Sequence, residues 1–530
     1  MPETPVFATA AVAAPHSLAA QAGRDVLVQG GNAIEAMIAM AATIAVVYPH
    51  MNGIGGDGFW LVSEPGGRVR AIEACGPAGS LATIERYRAK GYETIPPRGP
   101  DAALTVAGAV GGWRLAGDYA RSLGGRLPLD VLLGPARAYA RDGYPVSRSE
   151  ARYAPKEIEA LKSAPGFADF FLADGKSPAE GTTRKAPRVA DVLSRLIDAG
   201  LDDFYRGDVA REVAADLEEI GAPVTRDDLK RYEARAVEPL SLRVGDATVY
   251  NLPPPTQGLA SLIILGLHER LGAPRADSLE HHHALIEASK RAMRIRDLVV
   301  TDPAHLTRNP ADALAPAALD AQAARIRMDR AAPFPLPPGD GDTIWMGAID
   351  ASGLAVSYIQ SIYWEFGSGC VLRRTGLHWQ NRGVSFSLDP SARNPLQPGR
   401  KPFHTLNPAL ARFDDGRVAP YGCMGGDGQP QFQAQVLTRY RGGQSVADAV
   451  DGPRWLLGRT WGSTTTSLKV EDRFDPSLID ALRRMGHVVE EMGGSYLDAL
   501  GHAGLLVRHP RDGRVEATHD PRSDGGALGL

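Results

Sequence analysis

A chain of 530 residues with 44% hydrophobic and 23% charged residues can bury a large core, and no long polar or Ser/Gly-rich linker divides it, so one large globule or two intimately packed lobes are expected. The net charge of −4 provides no basic face for nucleic acid. Three scattered cysteines (Cys75, Cys370, Cys423) exclude a disulfide framework and form no Cys-x-x-Cys zinc pair; with no basic segment ahead of an apolar run at Met1-Pro-Glu-Thr-Pro5, a reducing, cytoplasmic setting is expected.

From Pro15 to Gln29 the pattern is helical, Gly30-Gly31 supplies a stop, and Asn32 is an N-cap for a second helix through about Val47. The most apolar stretch, Ala36–Tyr48, is thirteen residues long, which suits a buried helix rather than a membrane span. Gly53, Gly55 and Gly58 fit the spacing G-x-G-x-x-G, but a helix precedes them and the apolar strand Phe59–Val62 follows. A dinucleotide fingerprint needs the reverse order, so that a helix N-terminus meets the pyrophosphate. No cofactor is implied. Two helices are expected in residues 108–150, around Gly111-Gly112-Trp113 and over Pro128–Arg141, and several more in 180–233, the last opening at Thr225.

Pro253-Pro-Pro-Thr-Gln-Gly258 reads as a rigid turn before an apolar helix, Leu259–Leu271. Next, His281-His282-His283 invites a metal reading, yet adjacent helical residues point about 100° apart and cannot all grip one ion, so no metal site is expected. That helix is expected to run to Asp302-Pro303.

Residues 331–342 are too rich in Pro, Gly and Asp for a helix or central strand and read as a flexible tether. Directly after it, Ile344–Ile349 and Leu354–Ser361 read as a hairpin joined at Asp350-Ala-Ser-Gly353. The tether thus delivers Thr343 to the first position of a buried strand. Thr343 could simply be a β-branched strand starter. Alternatively, cleavage before it would free an α-amine of pKa about 7.7–8.0, a base suited to activating its own hydroxyl as a nucleophile.

After Thr343 the texture turns β-rich: Leu406–Phe413, a turn at Asp414-Asp-Gly416, Val418–Met424, then helices near 444–456 and 475–485. Gly425-Gly426 closes a strand just before the helical run Gln431–Tyr440. Such a turn is either a plain glycine turn or, through successive N–H groups, an oxyanion pocket.

Taken together, Ala14-Pro-His-Ser-Leu-Ala-Ala-Gln-Ala-Gly23, Gly30-Gly-Asn-Ala33, Gly53-Ile-Gly-Gly56 with Gly58-Phe59, Pro254-Pro255, Asp342-Thr343, Phe366-Gly-Ser-Gly369, Asn407-Pro408 and Gly425-Gly426 resemble the γ-glutamyltranspeptidase family of N-terminal-nucleophile hydrolases, in order over nearly the whole chain. The resemblance implies an α+β fold, a four-layer αββα sandwich with a largely helical N-terminal lobe. It also implies self-cleavage between Asp342 and Thr343 into a large chain, 1–342, and a small chain, 343–530, that stay together, with pairing of two such heterodimers left open. Matched residue by residue, Thr343 is the nucleophile, Ser361 the hydroxyl that orients its amine, and Gly425 and Gly426 the oxyanion donors.

At the positions where the family grips a glutamyl α-amine with Asn, Gln and Asp, this chain carries Tyr363, Arg382 and Ser385. The family's Ser-Ser pair is His404-Thr405, and its carboxylate-binding Arg has no counterpart near Cys75. A lone Arg382 without carboxylates disfavours a cationic amine and suits a small anionic acyl group. The family that the chain resembles includes an oxamate amidohydrolase branch, and amide hydrolysis of that type is expected, with γ-glutamyl transfer or hydrolysis as the alternative.

Overall fold

The residues after Thr343 alternate between two apolar surroundings rather than between core and water. Ile344, Met346 and Ala348 pack into one cluster with the helices Ser17–Val28 and Ala33–Val47, whereas Trp345 and Ile349 pack into another made of strand residues and their flanks. A strand buried on both faces reads as a continuous hydrophobic run, which is what residues 344–349 are. The computed structural model describes residues 3–334, 343–458 and 465–530. Two seven-stranded sheets, antiparallel throughout, form its centre.

The first sheet runs in the order Gly526–Gly529, Ala11–Ala14, Ile344–Ile349, Ala355–Ser361, Asp57–Ser63, Val69–Ala74 and Arg235–Val237. The second runs Val6–Phe7, Val515–His519, Ala503–Arg508, Val418–Cys423, Ala409–Phe413, Ala247–Asn251 and Leu240–Val244. Their inner faces meet through Phe59, Leu61, Trp345, Ile359, Leu410 and Leu506. Helices Ser17–Val28 and Ala33–Val47 cover the outside of the first sheet, and Gly258–Arg270 and Gln429–Arg441, backed by Leu279–Val299, cover the second. This is the expected αββα sandwich.

Local chemistry fixes the helix starts as read from the sequence. Asn32 accepts from Ile34 N and Glu35 N while Glu35 reaches back to Asn32 N, and Thr225 and Asp228 form the same reciprocal cap. The helix from Leu279 stops at Val299, short of Asp302-Pro303, because Val300 turns extended and Asp302 caps the short turn after it. The strands Leu240–Val244 and Ala247–Asn251, and three near the C-terminus, carry no local signal strong enough to be read in advance. They extend the sheets across the 342/343 junction, so both sides of that junction supply strands to both sheets.

Of the tether read over 331–342, residues 335–342, including Asp342, lie outside the described residues. Its beginning is pinned rather than flexible: Ala331 N donates to Met485 O at 2.7 Å, and Lys290 Nζ donates to Ala332 O and Glu287 Oε1, each at 2.6 Å.

Between the sheets the Trp345 indole lies against Gly422 and Gly504, whose added Cβ atoms would fall inside its van der Waals shell. Gly422→Ala is therefore an overpacking change costing about 1–3 kcal/mol. A thermal melt checks it, and an unchanged Tm would show that the sheets have slack there.

Candidate active site

The hairpin register builds the site. Ile344 pairs with Gln360 and Ile349 with Ala355, so continuing one step places Thr343 opposite Ser361. On the far side of Ser361 the paired residue is Asp57, and Gly58 pairs with Ala74, which puts Cys75 next in line. Side chains alternate along each strand, and Trp345, Ile359 and Phe59 all face the second sheet. Thr343, Ser361, Asp57 and Cys75 therefore form one row across the first sheet, on the face turned toward the second. All four are buried.

Ser361 Oγ is held by the N–H of Tyr363, which donates to it at 2.7 Å. Tyr363 sits at φ 83°, a left-handed conformation uncommon for a large side chain and costing on the order of 1 kcal/mol or more. This twist lays its ring beneath Arg382, whose guanidinium carbon is 3.3 Å from the ring centroid. Arg382 begins the short turn Arg382–Ser385 and donates from Nη1 to Thr405 Oγ1 at 3.2 Å. Its Nε and Nη2 are buried without a hydrogen-bond partner among the described residues. Burial pushes its pKa down from the usual arginine value, with Tyr363, Asp57 and Asp427 acting in the opposite direction. A buried guanidinium with two unused donors is poised for an acceptor.

Register, hydrogen bonds and ring contact link Thr343, Ser361, Tyr363, Arg382 and Thr405, with His404 next to Thr405, and Ser385 closes the turn that Arg382 begins. The Ser385 hydroxyl is bound to Arg382 O and Phe403 O, both at 3.1 Å, so it braces the loop. His404 lies with Nε2 3.5 Å from Asp57 Oδ2, too long for a hydrogen bond as placed. Burial, reinforced by Arg382, holds the His404 imidazole well below its usual pKa, so it is neutral and this contact is not an ion pair. Gly425 and Gly426 adopt φ of 120° and 50°, backbone that glycine tolerates, between Val418–Cys423 and Gln429–Arg441. Neither N–H donates a hydrogen bond among the described residues, leaving two adjacent donors.

Sequence reasoning passed over the residues that support this cluster. Asp57, enclosed among glycines, accepts at Oδ1 from Gly108 N at 2.9 Å, Gly76 N at 3.2 Å and Gln380 Nε2 at 3.2 Å, while Oδ2 has no hydrogen-bond partner among the described residues. Its parity with Phe59 and Leu61 on an inward-facing strand was the available signal. Gln257 Nε2 donates to both Thr405 O and Gly426 O at 2.8 Å, tying the pocket wall to the glycine turn, and Arg296 Nη1 holds Gln257 Oε1 and Asp427 Oδ1 at 2.8 Å. Nothing local marks these long-range partners. Lys401 pairs with Glu73 beside Cys75, whose thiol burial pushes well above its usual pKa.

The three histidines make different side-chain hydrogen bonds, although His281 and His282 share Asp277 as a neighbour. His281 Nε2 meets Thr438 Oγ1 at 2.9 Å, His282 Nδ1 accepts from Trp455 Nε1 at 3.2 Å, and His283 Nδ1 meets His487 Nε2 at 2.8 Å. Two groupings, Asp277/His281/His282 and His283/Glu287/His487, have ligand-type atoms within 4.8 Å of one another. Protein cations already pair with their carboxylates, Arg439 with Asp277 at 2.7 Å and Lys290 with Glu287 at 2.6 Å. A separate cleft of about 530 Å³, lined by Phe170, Arg188, Asp216, Val371 and Arg373 among others, shares no residue with the row at Thr343.

The model of the family described as gamma-glutamyltranspeptidase matches residues 19–530. The chain is similar to the oxamate amidohydrolase proenzyme of Klebsiella pneumoniae, 51% identical over 518 residues that cover 97% of each chain. It is similar also to the glutathione hydrolase-like YwrD proenzyme of Bacillus subtilis, 39% identical over 527 residues and 98% of each. Among solved structures, the cephalosporin acylase of Bacillus halodurans superposes with a TM-score of 0.91 at 33% identity, covering 100% of this chain and 97% of that one.

Burial raises the Asp57 carboxyl from 3.8 to about 7, against the hydrogen bonds from Gln380, Gly76 and Gly108. The native fold then keeps a proton that the unfolded chain has released, so Asp57 costs stability as pH rises from about 4 to about 7, and the full cost persists above that window. Asp57→Asn keeps an acceptor for the three donors and cannot ionise. Its Tm should approach that of the parent near pH 4 and exceed it at about pH 8, by calorimetry at both. A parent more stable than the variant at the higher pH would show an ionised, stabilising Asp57.

Proposed function

The chain is an amide hydrolase of the γ-glutamyltranspeptidase family, and we propose that it cleaves itself between Asp342 and Thr343 and then hydrolyses a small anionic amide such as oxamate to an acid and ammonia. The observation that carries the reading is the register that sets Thr343 opposite Ser361, in a pocket whose one cation, among the described residues of the cluster, is the partly unpaired Arg382. Similarity to an oxamate amidohydrolase proenzyme supports the same substrate class. The three separate buried thiols support a reducing, cytoplasmic location.

In maturation, Thr343 Oγ attacks the Asp342 carbonyl carbon, the peptide C–N bond breaks, and its nitrogen becomes the free α-amine of Thr343. Water then opens the ester, giving a large chain ending at Asp342 and a small chain beginning at Thr343. In turnover, the amine takes the Thr343 hydroxyl proton as Oγ attacks the substrate amide carbon. Ser361 Oγ, fixed by the Tyr363 N–H, orients that amine. The N–H groups of Gly425 and Gly426 stabilise the oxyanion, each such donor being worth on the order of 10²–10³ in rate. The leaving nitrogen collects the proton and departs as ammonia, and water releases the acid. Arg382 pairs with the substrate carboxylate through Nε and Nη2, as a guanidinium fork does.

Purified protein should run as fragments of 342 and 188 residues, and Thr343→Ala as one uncut chain; a denaturing gel with intact mass decides. An uncut but fully active parent would remove Thr343 from the nucleophile's role. In steady-state assays kcat/KM for oxamate should exceed that for glutathione. The opposite preference by about a hundredfold, about 2.7 kcal/mol of transition-state binding, would establish γ-glutamyl chemistry instead. Arg382→Met should raise KM for oxamate by roughly 10- to 100-fold, the usual worth of a hydrogen bond to a charged group.

A further inference from the structure

The row of side chains across the first sheet does not end at Ser361. Asp57 is the next residue in register, so it stands one strand beyond the positioning hydroxyl on the same inward face. Its two oxygens have different surroundings. Oδ1 is saturated by Gly108 N, Gly76 N and Gln380 Nε2, whereas Oδ2, equally buried, has no hydrogen-bond partner among the described residues and lies toward His404 Nε2, which has none among them either. With the ring proton of neutral His404 on Nδ1, the buried carboxylate oxygen and Nε2 are two facing acceptors, which one proton between them reconciles.

Two short connections join Asp57 to Arg382. Gln380, a donor to Asp57, is two residues from Arg382, and His404 is adjacent to Thr405, which accepts from Arg382 Nη1. Other titratable groups that feel the Asp57 charge are Cys75 on the neighbouring strand and, on the helix-covered side of the sheet, Tyr358, Tyr205 and Tyr232. Burial pushes the ionisation of all four upward. Within this group, then, Arg382 and Asp57 are the pair whose charges must balance near neutral pH.

We propose that Asp57 is a specificity-determining residue that takes up a proton when a carboxylate-bearing substrate pairs with Arg382. The inference rests on the small-anion reading given above. With the pocket empty, ionised Asp57 offsets the buried guanidinium. A substrate carboxylate brings a second anion to the same cation where water is excluded, and like-charge repulsion favours the protonated acid, whose O–H donates to His404 Nε2. No covalent bond changes; one proton comes from solvent. Binding and protonation are linked, so the site discriminates for anions below the pH at which empty Asp57 ionises and progressively loses that preference above it, by up to about tenfold per pH unit. A neutral amide, bringing no charge, is indifferent to Asp57.

Calorimetry of oxalate binding to the mature protein at about pH 7.5, in two buffers of different ionisation enthalpy, reads the proton directly. The parent should take up about half a proton or more beyond what Asp57→Asn takes up, and the comparison subtracts any contribution from the Thr343 amine. Equal proton counts in parent and variant would overturn the inference while leaving the small-anion reading intact. Should the variant not fold, the parent alone decides: from about pH 6 to about pH 9, KM for oxamate should climb steeply above pH 7 relative to KM for the neutral diamide oxamide. Parallel profiles for the two amides would overturn it. Absence of both oxalate binding and oxamate turnover would overturn the small-anion reading, and this inference with it.

Discussion

Everything at the site depends on where one hairpin turns. Asp350 closes the turn after Ile344–Ile349 by accepting at Oδ1 from Ser352 N at 2.9 Å and Leu354 N at 3.2 Å. Its other oxygen, Oδ2, accepts from Ala33 N at 2.9 Å, in the first turn of the helix Ala33–Val47. The turn therefore cannot drift along the strands without losing a buried contact to the helix layer. A turn fixed at Asp350 fixes the pairing of every residue before it, and Thr343 is placed opposite Ser361 by that pairing. A slip of one residue would carry the Thr hydroxyl to the helix side of the sheet, away from the face it shares with Ser361 and Asp57. Because both faces of this strand are apolar, hydrophobicity alone resists such a slip weakly, and the polar lock at Asp350 supplies the discrimination.

The second constraint is electrostatic. A guanidinium as buried as Arg382, with two donors unused, is an unfavourable element in an isolated fold, and its burial is maintained by what surrounds it. Tyr363 underlies it, Thr405 takes one donor, and Asp57 stands close enough to lower its energy when ionised. On the proposed reading an anionic ligand completes the set, and its binding is favoured by a site already arranged for charge. The wall carrying Thr405 and the turn carrying Gly426 share Gln257, which Arg296 and Asp427 hold in turn. Displacing one of these two surfaces disturbs the other, which couples the Arg382–Thr405 side of the pocket to the glycine turn.

The amino-acid sequence by itself determined what is local or carried by ordered motifs. The caps at Asn32 and Thr225, the hairpin limits, the reversed context of the Gly53–Gly58 run and the incompatibility of three adjacent histidines with one ion all follow from short-range sterics and periodicity. So did the suspicion attached to Thr343, because a Pro/Gly/Asp-rich segment meeting an apolar strand is visible without a fold. Only the tertiary structure decided the rest. Asp57 lies 304 positions from Ser361 in the chain and Gln257 lies 169 from Gly426, and such partners are set by sheet register and layer stacking, which no window of sequence contains. Ser385 illustrates the converse: its position in the chain suggested the pocket, but the turn begun by Arg382 directs its hydroxyl to backbone carbonyls. Side-chain identity is written residue by residue, whereas the direction a side chain faces, and the charge it meets there, is settled when separate strands come to share one face.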